Sequence, residues 1–389
     1  MKKIIVLASL VCGICCCAPK GVSELRVNGH IMYVSSTNDL KADTLTIALS
    51  DLVEDCMMVQ LESTEAAYIH ARTFTITDKY IGVNEQQMKP YKLFDSSGKF
   101  LNEIGAIGRG PGEYPGTIWD DIIDDKNDLI YLIPAIGNNK ILVYNTSGQF
   151  LKDLVAPHPL RMPSLFLHEN ILTVVHVALG DEAVAIQFDV HTGEIVKEFT
   201  ASANKTIQGF QDDDMIFSTR NIPHVLDFHS FVNDTLYHYN LKDNTALPFF
   251  TMASGPSENV MKQYYLLNKD LVLSYLFCGG AEGDNCTKTG LVATDLKHKQ
   301  SAFIKVVNDY YGNISVPLPF FNNSFRNGYW VHTLAPEDLM AEIESRLAEE
   351  TCTASDSQAL KEILPTLKEG ANNVVFIAKL KSEFKKSLW

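Results

Sequence analysis

The chain has 389 residues, of which 46% are hydrophobic and 21% charged, with a formal net charge of −14 at pH 7. That length suffices for two average domains, and so acidic a balance argues against nucleic acid as a partner, because the phosphate backbone would be repelled. The eight cysteines and eleven histidines match no common zinc spacing, with no His-x-His or His-x-x-x-His pair, so neither a metal nor another cofactor is indicated.

The chain opens Met1-Lys2-Lys3 and runs apolar from Ile4 to Cys17, the layout of a secretory signal too short to span a bilayer as a mature helix. Four cysteines crowd its end, at 12, 15, 16 and 17. A lipoprotein signal peptidase needs an aliphatic residue three before the modified cysteine and a small one just before it. Cys17, preceded by Ile14 and Cys16, meets both conditions best and is the expected lipidation site. Residues 1–16 are then a signal peptide and 17–43 a lipid anchor and tether, with Pro19, Gly21 and Gly29 marking 18–30 as the tether between lipid and propeller. Loss of Lys2 and Lys3 leaves 31 basic against 47 acidic residues, a mature net charge of −16. No second long apolar run follows, so the membrane is met only through the N-terminal lipid.

Residues 43–49 alternate as a strand, and 57–61 form another. A hairpin pattern then recurs: an apolar stretch, Asp or Asn, a short polar turn, and a second apolar stretch. Its clearest copies are Tyr91-Lys92-Leu93-Phe94-Asp95-Ser96-Ser97-Gly98-Lys99-Phe100-Leu101, the stretch around Asn145-Thr146-Ser147-Gly148, and that around Asp189-Val190-His191-Thr192-Gly193. Asp or Asn caps such a turn through its side chain, and Gly supplies a positive φ. Weaker copies lie around Asn240, Asp295 and Lys379. Successive anchors are 50, 44, 51 and 55 residues apart, and the last step is 84. Residues 336–373 account for that excess, since they read as helix, and without them the step is 46. A period of 40–50 residues with several short strands per unit indicates propeller blades. The reading is therefore an all-β chain, a six-bladed β-propeller over 44–389, with a short helical insertion in the last blade. An N-terminal strand is expected to supply the missing edge of that blade, since closure removes an exposed edge. In the insertion, Pro336-Glu337-Asp338 opens one helix and the capping pattern Ser355-x-x-Gln358 a second, which Pro365 should divide. It is either a lid or partner-docking hairpin, or a decorated loop packed on a blade edge.

Several segments, in order, resemble the six-bladed β-propeller lipoproteins of gut-dwelling anaerobic bacteria, a family with NHL-like repeats. They are Leu49-Ser50-Asp51-Leu52 leading to Val59-Gln60-Leu61, the hairpin at Asp95 followed by Gly108-Arg109-Gly110-Pro111-Gly112-Glu113-Tyr114, then Asn233-Asp234-Thr235-Leu236-Tyr237 and Asn373-Val374-Val375-Phe376. The hairpin at Lys379 departs from the pattern, lacking both Asp and Gly. The resemblance implies a propeller at the bacterial cell envelope, on the outer membrane. It implies no ligand, because the family is largely without a defined biochemical function. Thr44 and Thr235, each within Asp-Thr-Leu, resemble the acceptor pattern for O-linked glycans on exported proteins of such bacteria.

The Gly108–Tyr114 stretch is either an anion cradle, with Arg109, Glu113, Tyr114 and Trp119 as contact groups, or an inter-blade connection. His158 and Arg161, Arg220 and His224, and Arg326 stand at what read as equivalent positions in three blades. Their arginines would either hold a carboxylate or sugar acid over the channel or pair with the chain's own acids. The runs Asp120-Asp121, Asp124-Asp125 and Asp212-Asp213-Asp214 read as solvated turns. Cys278 and Cys286 bracket a glycine-rich loop between two strands and are expected to form a disulfide, the alternative being two buried thiols. Two functions stay open: a non-catalytic module binding a glycan, a peptide or an envelope protein, and a lyase or hydrolase acting on a sugar or peptide at the channel mouth.

Overall fold

The computed structural model describes residues 21–41, 43–86, 88–135, 139–180, 182–200, 215–230, 234–255, 260–278, 289–317 and 324–383. The turn chemistry operates as the residue types require. Asp95 Oδ1 accepts from the N–H groups of Ser97 and Lys99 at 2.9 and 3.1 Å, and Gly98 takes φ 87°. Asn145 Oδ1 accepts from Gln149 N–H at 2.9 Å, and Asp189 Oδ1 from His191 and Thr192, also at 2.9 Å. Gly98 has a further constraint, because a Cβ there would lie 2.7 Å from the Gln60 carbonyl oxygen on a neighbouring blade.

Each turn joins the third and fourth strands of a blade. Blade 1 runs from Ala71–Ile76 to Phe100–Ile104, blade 2 from Ile118–Asp124 to Phe150–Val155, and blade 3 from Ser164–His168 to Ile195–Thr200. Blade 4 runs from Ile216–Phe217 to Thr245–Ala253, and blade 5 from Val260–Asn268 to Gln300–Asn308. Blade 6 contains Phe325–Arg326, Tyr329–Leu334 and Val374–Lys379. Six apolar clusters lie one at each junction, including that of blade 6 with blade 1, where Val331, Val375 and Ile377 meet Phe74, Ile81 and Phe94. The ring is thus a closed, six-bladed β-propeller.

Four N-terminal strands lie on its rim: β1 (Ser23–Val27), β2 (His30–Ser36), β3 (Thr44–Ala48) and β4 (Met57–Gln60). β2 pairs parallel with the outer strand of blade 4 and carries β1 outside it; β3 pairs parallel with the outer strand of blade 5. β4 pairs antiparallel with Val374–Lys379, Val59 opposite Val375, and is the fourth strand of blade 6. The closing strand is therefore where the sequence places it. Two readings need correction. No hairpin turns at Lys379, because the strand that would follow comes from the other end of the chain, and this explains the missing Asp and Gly. The tether is shorter than 17–43, because residues 23–36 cover the edge of blade 4 and bury Met32. Residues 1–20, Cys17 among them, lie outside the described residues, as do Cys286 of the expected disulfide and Asp212-Asp213-Asp214.

The insertion forms α2 (Pro336–Ala348) and α3 (Ala354–Ile363), after α1 (Leu49–Leu52) earlier in the chain. Leu339, Ile343, Leu360 and Ile363 pack with Leu49, Trp330 and Phe376 on blades 5 and 6. This packing is that of the decorated loop. The second helix starts earlier than Ser355. Thr353 Oγ1 accepts from Asp356 N–H at 3.1 Å, and Asp356 Oδ2 accepts from Thr353 N–H at 3.2 Å. That box prevails because Asp356 is also held by Arg346 and Asn313, at 3.0 and 2.8 Å. Pro365 ends the helix in a short 3-10 turn, Leu364–Thr366.

Candidate functional site

The innermost strands carry a cluster of charges to the axis of the ring. A bulge between Ile118 and Asp120 shifts the register of the first strand of blade 2, and Trp119 sits at that shift. Asp120 and Asp121, as successive strand residues, face opposite neighbours. Asp120 Oδ2 accepts from Leu165 N–H of blade 3 at 2.7 Å, while Asp121 Oδ2 accepts from Tyr91 O–H of blade 1 at 2.8 Å. Arg220 from blade 4 donates to both oxygens of Asp120, at 3.0 and 3.3 Å, and to Asn327 Oδ1 at 2.8 Å. Arg326 from blade 6 donates to Asp120 Oδ1 and lies 3.7 Å from Asp121 Oδ1. All four charged side chains are buried. Burial pulls both guanidiniums down to about 10, Asp121 and Asp227 holding Arg220 up against it, so both stay charged at neutral pH. Burial also raises the Asp121 carboxyl, against the pull of Arg220.

Two arginines expected over the channel are therefore there, and the acids that occupy them are Asp120 and Asp121. The reading of that pair as a solvated turn is overturned, because a strand flanked by Ile118, Ile122 and Ile123 buries both. Asp124 is the turn residue, its Oδ1 accepting from the N–H groups of Lys126 and Asn127 at 3.1 and 3.2 Å.

Above the cluster, on the face bearing the turns between first and second strands, opens a cavity of about 590 Å³. Its wall draws on blades 1, 2, 4, 5 and 6, including Ile76, Ile122, Ile222 and Leu267, and its floor includes Arg220 and Asn327. The polar groups at its rim are mostly committed: Asp78 Oδ1 accepts from Tyr329 O–H at 2.6 Å, and Lys381 Nζ donates to the Ser50 carbonyl at 2.5 Å. Two are not: Asp125 Oδ1, a buried acceptor without a donor, and the Thr75 hydroxyl, likewise buried without a partner. A second hollow of about 480 Å³ adjoins it over blade 3 and shares Arg220, Ile222 and Asp125. There His224 and His168, both exposed, meet Nδ1 to Nδ1 at 3.0 Å.

The other expected contact groups lie elsewhere. Glu113 supplies the anion of its own loop, Oε2 accepting from Gly110 N–H at 2.8 Å, and a Cβ on Gly108 would fall 2.0 Å from that oxygen. Arg109 is exposed beside it. Tyr114 is fully buried, donating to the Ile104 carbonyl at 2.9 Å and accepting from Tyr91 N–H at 2.7 Å. The loop is thus an inter-blade connection. Trp119 packs against the cluster between blades 2 and 3, with the Arg72 guanidinium 5.1 Å from its ring centre.

His158 and Arg161 belong to the connection from blade 2 to blade 3, on the face opposite the cavity, so they do not join Arg220, His224 and Arg326. Arg161 pairs there with Glu182 at 2.5 Å. Beside them lies His176, which no sequence spacing singles out. The ligand atoms of His158, His176 and Glu182 all lie within 4.8 Å of one another. Burial, and then His158, lower the His176 imidazole to about 4, so the ring is neutral at pH 7.

The model of a domain of unknown function, DUF4934, matches residues 34–379. No curated protein matches the sequence. The crystal structure of a putative exported protein from Bacteroides fragilis matches with a TM-score of 0.57 at 14% identity, over 90% of this chain and 98% of that one. That of a DUF4221 family member from Bacteroides vulgatus matches with a TM-score of 0.44 at 13% identity, over 85% and 98%. The first of these likenesses is one of fold.

Proposed function

The chain belongs to the DUF4934 family, and on that footing we propose that it is an exported, lipid-anchored propeller that binds a small glycan or peptide, without transforming it, in the cavity at the mouth of its channel. The observation that carries this reading is the cavity itself, about 590 Å³ and walled by five blades. That volume lies in the range of small-molecule sites, which combine apolar walls with a few polar groups that orient the ligand. Here the orienting group is Asp125, whose unpartnered Oδ1 suits a hydroxyl or amide donor of the ligand. The charges beneath the floor are spent on one another, so they hold the ring together and offer neither a nucleophile nor a proton-transfer pair. Export is supported by the signal-like N-terminus and by the Bacteroides fragilis neighbour described as a putative exported protein. Among the described residues no helix is long and apolar enough to cross a membrane, and the anchor in this reading is lipid on Cys17, which Ile14 and Cys16 precede.

A thermal-shift screen of residues 18–389 against mono- and disaccharides and short peptides tests the site. Ligands that raise the melting temperature should lose their effect in Ile222→Trp, which fills the cavity, and keep it in Arg109→Ala, which lies away from it. Ligands that act equally on Ile222→Trp would place binding elsewhere.

A further inference from the structure

We propose that His158, His176 and Glu182 form a binding site for a divalent transition metal of the zinc class, on the face opposite the ligand cavity. His158 comes from the connection entering blade 3. His176 follows the strand Ile171–Val175, and Glu182 precedes the strand Ala183–Asp189, so one blade and its entry segment hold all three. Their donor atoms lie within 4.8 Å of one another, and ligands at zinc distances in a tetrahedral arrangement stand about 3.3–3.6 Å apart. Small side-chain adjustments close the difference.

Burial supplies the second argument. His176 is fully buried, yet neither of its ring nitrogens makes a hydrogen bond, and His158 Nε2 is likewise buried without a partner. Buried polar groups are almost always paired, yet the two rings, whose centres are 5.0 Å apart, leave three nitrogens unpaired, so each ring has a nitrogen to offer a metal. A metal ion would take one nitrogen of each ring, His158 Nε2 and one of the two on His176, whose other nitrogen would carry the proton of the neutral ring. Glu182 is oriented through Oε2, which accepts from Arg161 and from Leu179 N–H at 2.5 and 3.0 Å, and Oε1 would be the oxygen it offers a metal. Hydrogen bonds behind a ligand are a regular feature of metal sites. Two imidazoles and one carboxylate favour zinc and its neighbours over calcium or magnesium, which take oxygen donors. Three protein ligands also leave a fourth position for water or a ligand atom.

The test uses the untagged chain from residue 18, stripped with chelator and titrated with zinc chloride against a chromophoric competitor. Bound metal is counted by mass spectrometry. One equivalent of zinc should bind and raise the melting temperature, and His158→Ala and Glu182→Gln should each weaken binding by about tenfold or more. Both altered side chains are half-buried, so these variants should melt cooperatively without metal; His176→Ala opens the core and is not the deciding variant. No zinc uptake by the wild type, uptake undiminished in both variants, or a preference for calcium would each overturn the proposal, and none of them bears on the cavity.

Discussion

Asp120 accepts from guanidiniums of two blades, 100 and 206 residues away in the chain. A buried carboxylate in that position is worth more by its absence than by its presence. Replacing a buried ion pair with apolar groups is often neutral, but removing one partner strands the other charge and costs about 3–5 kcal/mol. Asp120→Asn should therefore lower the unfolding free energy by about that amount in urea denaturation. Lys79→Ala, at the exposed pair Lys79–Asp128, should cost far less, because solvent screens that pair. Equal losses would show that the axial cluster does not hold the ring. The same residue-scale logic separates the turn glycine Gly98 from the glycines of the Gly108–Tyr114 loop. Gly98 is needed because blade 6 approaches it closely, whereas the Gly108 loop is folded around its own Glu113.

Among the elements, the N-terminal strands divide into two kinds. β4 completes a four-stranded blade and closes the ring, while β1 and β2 add to a blade 4 that already has four strands. Removing residues 18–43 should leave a soluble, cooperatively folding protein with a lowered melting temperature, because Val22, Met32 and Leu40 leave the apolar surface that they cover. Removing residues 18–61 should abolish cooperative folding, since blade 6 then exposes an unpaired edge and the junction with blade 1 loses Val59 and Leu61. A cooperative, ligand-free melt of the shorter chain, matching that of the longer, would refute the closure. The helical insertion behaves as the periodicity of Leu339, Ile343 and Leu360 dictates: its apolar faces are consumed by blades 5 and 6, and none is left over for a lid.

At the scale of the whole molecule, the two faces of the propeller differ in chemistry. One bears the cavity walled by five blades, above charges paired with one another; the other bears the imidazole cluster of blade 3. The proposed lipid on Cys17 would determine how the propeller meets the envelope. Mass spectrometry of protein from its native host should find the mature N-terminal peptide beginning at Cys17 and carrying lipid, and Cys17→Ser should abolish fatty-acid incorporation. A mature terminus at or beyond Ala18 would refute the anchor. The same spectra address glycosylation: Thr44 is exposed at the start of β3, whereas Thr235 is half-buried and its hydroxyl bonds to Tyr237. Added glycan mass is accordingly expected on Thr44 first.

What the residues determine by themselves is whatever is decided within about a dozen positions. Asp or Asn with Gly closes a hairpin, alternation selects its buried face, and the spacing of such units counts the blades. The closing N-terminal strand is legible too, but the hairpin expected at Lys379 does not form, because Met57–Gln60 completes that blade instead. Which acids meet Arg220 and Arg326, and which histidine joins His158, is decided only when the ring closes. Those contacts span 18 to 206 residues, and strands of similar pattern can carry an inward charge to any neighbour. A pair such as Asp120-Asp121 reads as solvated because two adjacent acids rarely bury unless paired. Their partners are invisible in the local sequence, since the geometry of six blades around one axis, and no local propensity, brings the compensating cations to them.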